Sequence, residues 1–302
     1  MQDTVGSLMI IRDKPSPLDL MFALRGSVLP QIAGELGFAV LVATAVLLWD
    51  RLVFPLPHLN STPFALFGVA LSLFLGFRNN AAYDRWWEAR KLWGALLIEA
   101  RMMARDAAVF LPDTDQRLAL LRLVRGFLHL HRCALRGLAP DAAALRDSTG
   151  LREATPEAAL DAMAALLAQA RADGLLDGFG ARCLSQHVAG LTTAQAGNDR
   201  IRATPLPFAY SMLVYRTSWL YCLLAPMALI YPAGWLTPLF AGVIAYTFFG
   251  LAEVTEELVH PFDPTANALP LDAICRSADI SLAPHLGETA PPPLLPVNFR
   301  LD

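Results

Sequence analysis

Charge is what this sequence has least of. Only 17% of its 302 residues are Asp, Glu, Lys or Arg, while 55% are hydrophobic; an ordinary soluble domain carries about 25% charged and about 45–50% apolar residues. Intrinsic disorder is excluded, because its signature is high charge with little apolar side chain. A basic excess is missing as well: 24 Lys and Arg stand against 27 Asp and Glu, a net charge of −3. Phosphate backbones are met by a positive face, so no nucleic-acid partner is expected. Cysteine is sparse. Cys133, Cys183, Cys222 and Cys275 are scattered with no C-x-x-C pair, which reads as reduced structural thiols. The chain also lacks G-x-S-x-G, Walker A and H-E-x-x-H runs, so neither enzymatic catalysis nor a cofactor is expected. His129-x-His131 with Cys133 is the one hint of a metal site. On a helix, positions i and i+2 face apart, so no metal is expected there.

The charges that exist are unevenly placed. Residues 36–49 and 217–252 contain none, and 52–77 offers only His58. A bilayer-crossing helix needs about 20 mostly apolar residues. The longest stretch therefore holds two spans, with Pro232-Ala233-Gly234-Trp235 marking the turn between them. Four spans result, at about 30–50, 63–80, 208–231 and 235–253. A buried bundle in a large soluble core is the alternative, but near-spanning segments with charge confined between them favour a bilayer. Lys and Arg cluster before the first span (Arg12, Lys14, Arg25), after the second (Arg78, Arg85, Arg90, Lys91) and before the third (Arg200, Arg202, Arg216). By the positive-inside rule both termini and the middle segment face the cytoplasm. The expected organisation is a cytosolic segment 1–29, two spans in 30–80, a cytosolic helical region 81–207, two spans in 208–253 and a cytosolic segment 254–302. The start, MQDTVGSLMIIRDKPS, lacks the basic-then-apolar build of a secretory leader, so none is expected. The fold class is an all-α membrane protein.

Helical periodicity dominates 78–202, and strand alternation is absent. Ser61-Thr62-Pro63 suits a helix start, and the second span continues without a break to Pro112, giving one helix of about 45 residues. Further helices are expected at 116–136, 155–172 and 179–200, with a loop at 137–154. The fourth span extends to about Val259, and a short helix falls at 270–280. Glu253, Glu256 and Glu257 form an acidic cluster at a membrane boundary. Their simplest reading is a solvated helix end; the functional one is a cation-attracting vestibule.

The second span carries a sharper pattern. Val69, Leu73 and Phe77 recur every four residues on one face, followed by Asn80, Asp84 and Glu88. An apolar stripe passing into a polar one suits a pore-lining helix with a dewetting constriction above a wet vestibule. Spacing alone gives more weight to a stripe that touches lipid or another helix.

Three segments resemble the bestrophin family, particularly its bacterial branch: LGFRNNAAYDRWWEARKLWG at 75–94, RIRATPLPFAY at 200–210, and ELVHPF at 257–262 followed by LPLDAIC at 269–275. Their order and spacing agree along nearly the whole chain. The resemblance implies a bestrophin-like homopentameric ion channel, its permeant ions passing one central pore, with self-association and membrane lipid as its partners. It matches the family's apolar neck to Val69, Leu73 and Phe77, and a cytosolic restriction to Phe179. It implies a bacterial inner (cell) membrane. Animal bestrophins carry an acidic calcium clasp after the Pro-Phe pair; here 263–268 reads DPTANA, with Asp263 alone acidic. Ca²⁺ takes six to eight oxygens, so no calcium activation of the animal type is expected. Animal relatives imply anions and bacterial ones monovalent cations, and the acidic residues tilt the expectation slightly towards cations. A transporter working by alternating access and a non-conducting scaffold or sensor are the rival readings; against the transporter, no inverted repeat is evident.

Overall fold

The structure, a computed structural model, describes residues 9–10, 27–57, 59–265, 267–296 and 300–301. Arg12, Lys14, Arg25, His58 and most of segment 1–29 lie outside these residues. Among the described residues, regular structure is all helical apart from a short antiparallel pair, β1 (Met9–Ile10) with β2 (Arg300–Leu301). It divides into two compact units, one within 12–86 and 205–260, the other within 1–11, 87–204 and 261–302.

The first unit is built from α1 (Leu29–Leu52), the opening part of α2 (Ser61–Phe110), α7 (Phe208–Ala233) and α8 (Thr237–Val259). Among the described residues, three stretches are long and apolar enough to cross a membrane: Leu29–Leu52, Ser61–Phe110 and Phe208–Val259. A 3-10 turn, Gly234–Leu236, breaks the last of them. The break overlaps the turn expected at 232–235: the helix carries Pro226 and Pro232 inside it and ends where Gly234 takes a positive φ of 54°. One core joins Ile32, Ala39, Cys222, Ala245 and Phe249; a second joins Leu71, Leu75, Val214 and Phe248. Gly68 fits this packing closely, since a Cβ there would lie 2.5 Å from the Tyr221 hydroxyl. Large apolar side chains such as Leu41, Leu239 and Val243 stay exposed on the protomer, as expected where lipid or a neighbouring subunit supplies the contact.

The second unit combines the rest of α2 with α3 (Thr114–Arg136), α4 (Ala142–Arg146), α5 (Pro156–Ala172), α6 (Gly178–Ala203) and α9 (Leu271–Leu286). Its core takes Trp93, Leu96, Ala100, Met103 and Ala107 from α2, which recur at three- and four-residue steps, and Leu120, Leu121, Val124 and Phe127 from α3. Side chains of Asp113, Asp141, Thr155 and Asp177 accept backbone N–H bonds at the starts of α3, α4, α5 and α6, satisfying donors the helices leave free.

Two expectations are corrected here. The stretch 137–154 is not loop throughout: Asp141 caps α4, which ends at Arg146. A five-residue helix has too few turns to show a period in sequence. The last helix runs to Leu286 rather than 280, enclosing Pro284 and closing on Gly287 at φ 69°. The long helix is as expected in kind. At 50 residues and about 1.5 Å per residue it measures about 75 Å, more than twice a hydrocarbon core of about 30 Å.

Candidate functional site

Along the first part of α2 the structure sorts the side chains by face. Leu71, Leu75, Arg78 and Ala82 are buried within the unit. Val69, Leu73 and Phe77 are 69%, 59% and 64% exposed, and Asn80 and Asp84 are also exposed. One side of the helix is thus fixed by packing against α7 and α8, and the other is an unpartnered stripe, apolar above and polar below. The four-residue spacing produces this because it returns to nearly the same angle on a 3.6-residue helix.

The arginines near this stripe turn inward. Arg78 donates from Nη2 to Glu256 Oε2 at 2.5 Å and to Ser211 Oγ at 2.8 Å, with only 3% of its side chain exposed. Arg85 Nε donates to the Val259 carbonyl at 2.8 Å. Glu257 is buried and accepts a 2.8 Å bond from Gln31 Nε2. The reading as a solvated helix end is therefore corrected for Glu257, which is buried against α1; Glu256 pairs with Arg78 of α2 but its side chain stays 46% exposed. Sequence could not show this, because Gln31 lies 226 residues away from its partner.

In the second unit, Phe179 stands 83% exposed on the first turn of α6. Glu88, the acidic residue closing the sequence stripe, forms an exposed ion pair with Arg200. His129 and His131 engage different groups, as their i, i+2 spacing requires: His129 Nε2 lies 3.0 Å from Asp279 Oδ1, and His131 Nε2 lies 3.1 Å from Asn198 Nδ2. Burial pushes the His131 pKa down to about 3, so its ring is neutral.

A group missed in the sequence lies between α2 and α6. His187 Nδ1 donates to Glu99 Oε2 and Nε2 to Asp106 Oδ2, both at 2.8 Å, and Cys183 Sγ donates to the same Asp106 oxygen at 3.1 Å. Burial works against charge on His187, but its bonds to Asp106 and Glu99 outweigh it and raise the pKa. Hydrogen bonds from His187 and Cys183 hold the Asp106 carboxyl below its ordinary value. The Cys183–His187 spacing of four was legible on a helix; partners some eighty residues upstream were not.

Fold and stripe together define an all-helical membrane protein. Residues 9–284 match the family model described as bacterial/fungal bestrophin protein, and the chain belongs to that family. It is 47% identical over 298 residues to a voltage-dependent anion channel-forming protein of Mesorhizobium japonicum, covering 96% of each. It is 36% identical over 289 residues to the Escherichia coli K12 protein YneE, which carries the same description, covering 91% of this chain and 93% of that one. A crystal structure of a bacterial bestrophin homologue from Klebsiella pneumoniae superposes with a TM-score of 0.79 at 31% identity, covering 85% of this chain and 99% of that chain.

Proposed function

We propose that this chain forms a homopentameric channel for small monovalent ions in a bacterial inner membrane. Four spans surround a pore lined by α2, and both termini lie in the cytoplasm. The observation that carries the reading is the exposed stripe of Val69, Leu73 and Phe77 on a helix whose other face is packed. Rings of these side chains gate by sealing or dewetting and replace no part of an ion's hydration shell. Phe179 forms a second restriction at the cytosolic end, and Asn80, Asp84 and Glu88 line the vestibule.

The charges on the stripe favour cations. Asp84 is exposed, whereas Arg78 and Arg85 are bonded within the protomer. A second reading, anion conduction, is favoured by the anion channel-forming names of the relatives. Purified protein in a planar bilayer under a KCl gradient tests both. Unitary currents establish a channel, and the sign of the reversal potential establishes the ion. Absence of current at every voltage would favour a scaffold, and saturable uptake without unitary currents a transporter. Native mass measurement in detergent tests the pentamer.

A further inference from the structure

Glu99 and Asp106 lie seven residues apart on α2, and Cys183 and His187 lie four apart on α6, so each pair occupies one helix face. The two faces meet within the second unit. One ligand atom each from Asp106, Cys183 and His187 falls within 4.8 Å of the others. Three unlike donors, a carboxylate oxygen, a thiol sulfur and an imidazole nitrogen, converge on one point.

An ion-pair net alone explains part of this. An imidazolium between two carboxylates would tie α2 to α6 without further help. The net does not require Cys183, yet its sulfur points at the Asp106 oxygen that also receives His187 Nε2. Glu99, on the opposite side of the ring, belongs to that net and also fits a metal site. That placement is the carboxylate–imidazole–metal pattern, in which the remote carboxylate holds the N–H of one ring nitrogen and frees the other to bind. Gly190 makes room for it: a Cβ there would lie 2.6 Å from Glu99 Cδ.

We propose that Asp106, Cys183 and His187 bind a Zn²⁺-class ion that clamps α6 to α2, with Glu99 orienting His187. Mixed N, S and O donors select a borderline-soft divalent ion over Ca²⁺ or Mg²⁺. Tetrahedral coordination at usual zinc distances separates O and N donors by about 3.3 Å and O and S donors by about 3.5 Å. The present separations are 2.8 and 3.1 Å, so the donors part by about half an ångström when the ion replaces their shared protons. Side chains of Asp106 and Glu99 are 31% and 26% exposed, which gives the ion a route in. Water fills the fourth position. Phe179 begins the same helix one turn before Cys183, so occupancy stiffens the segment that carries it. The site stands whether or not the chain conducts ions.

Chelator-stripped full-length protein in detergent, titrated with Co²⁺, tests the proposal. The expected result is one Co²⁺ per protomer, with tetrahedral visible bands and a thiolate-to-cobalt charge-transfer band, both displaced by Zn²⁺. In Cys183→Ser the charge-transfer band disappears. Glu99→Gln weakens binding by about 10–100-fold. The other three thiols are buried, so Cys183 alkylation read by mass spectrometry gives a second measurement on the unmodified chain: Zn²⁺ is expected to protect it. A wild-type spectrum without the charge-transfer band, or a band that survives Cys183→Ser, overturns the proposal. Alkylation of Cys183 at an equal rate with and without Zn²⁺ overturns it too.

Discussion

Replacing His131 with Phe should flatten the acid sensitivity of this protein between pH 6.5 and 5. His131 is fully buried, stacked on Phe127 at 5.9 Å and 4° and beside Trp93 at 5.5 Å and 28°. Its Nε2 meets Asn198 Nδ2, a donor, and therefore acts as the acceptor. That assigns the ring proton to Nδ1, which has no hydrogen-bond partner. A second proton would place a charge in this apolar stack, so burial lowers the pKa from 6.5 to about 3. The unfolded chain binds a proton below pH 6.5 that the folded chain refuses, so stability is lost as pH falls.

The loss amounts to about 1.4 kcal/mol per pH unit once the unfolded histidine is mostly protonated, or about 2 kcal/mol at pH 5 relative to pH 7.5. At about 2–4 °C per kcal/mol for a unit of this size, the wild type should lose about 4–8 °C of Tm. Every other titratable group is present in all three proteins, so the difference in slope isolates His131. Tryptophan fluorescence melts in detergent at half-unit pH steps provide the measurement, with Trp93 next to the ring as reporter. His131→Phe starts lower in Tm, because Asn198 loses its acceptor; His131→Gln retains one. Equal Tm losses between pH 7.5 and 5 in the wild type and both variants would refute the neutral, buried ring.

Alanine at Val69, Leu73 or Phe77 should widen the neck and raise unitary conductance in bilayers; unchanged currents in all three would sink the assignment. Micromolar calcium should leave the current unchanged, since Asp263 stands alone where the animal clasp is acidic. Asp147→Ala should cost about 3–5 kcal/mol, read as a lower Tm, because Arg125 and Asp147 are 3% and 4% exposed and bonded at 2.6 Å. Glu288→Ala should cost less, as its side chain is 41% exposed. Gly68→Ala should cost about 1–3 kcal/mol through overpacking against Tyr221, and adding Tyr221→Phe should restore much of the Tm.

What sequence made legible followed from local rules. The long helix announced itself through an unbroken 3.6-residue pattern opened by Ser61-Thr62-Pro63, and the apolar helices through missing charge. Val69, Leu73 and Phe77, the proposed neck, were visible as a stripe, but only the buried Leu71, Leu75 and Arg78 on the other face show which side is free. Groups that depend on distant chain segments were illegible. Glu257 reads as a solvent-facing helix end until Gln31 is placed beside it, and Cys183 as one of four inert thiols until Asp106 lies 3.1 Å away. A polar residue's neighbours decide whether its charge is spent internally, and no spacing rule supplies neighbours a hundred residues off.

Arg78 shows why that distinction matters for ion selection. It follows Phe77 directly, so a count of charges along the sequence puts a cation at the base of the neck. Adjacent helical residues diverge by about 100°, however, and that turn carries Arg78 into the packed face. A guanidinium buried there without partners would be heavily destabilising, and Glu256 and Ser211 supply them. Glu256 is ion-paired in the same contact, although its side chain stays 46% exposed. Asp84 remains as the acidic group on the exposed face below the neck. If α2 lines the pore, neutralising Asp84 should move the reversal potential in a salt gradient, while neutralising Glu256 should chiefly lower stability by stranding Arg78. The opposite pattern would mean that the exposed stripe does not face the ions.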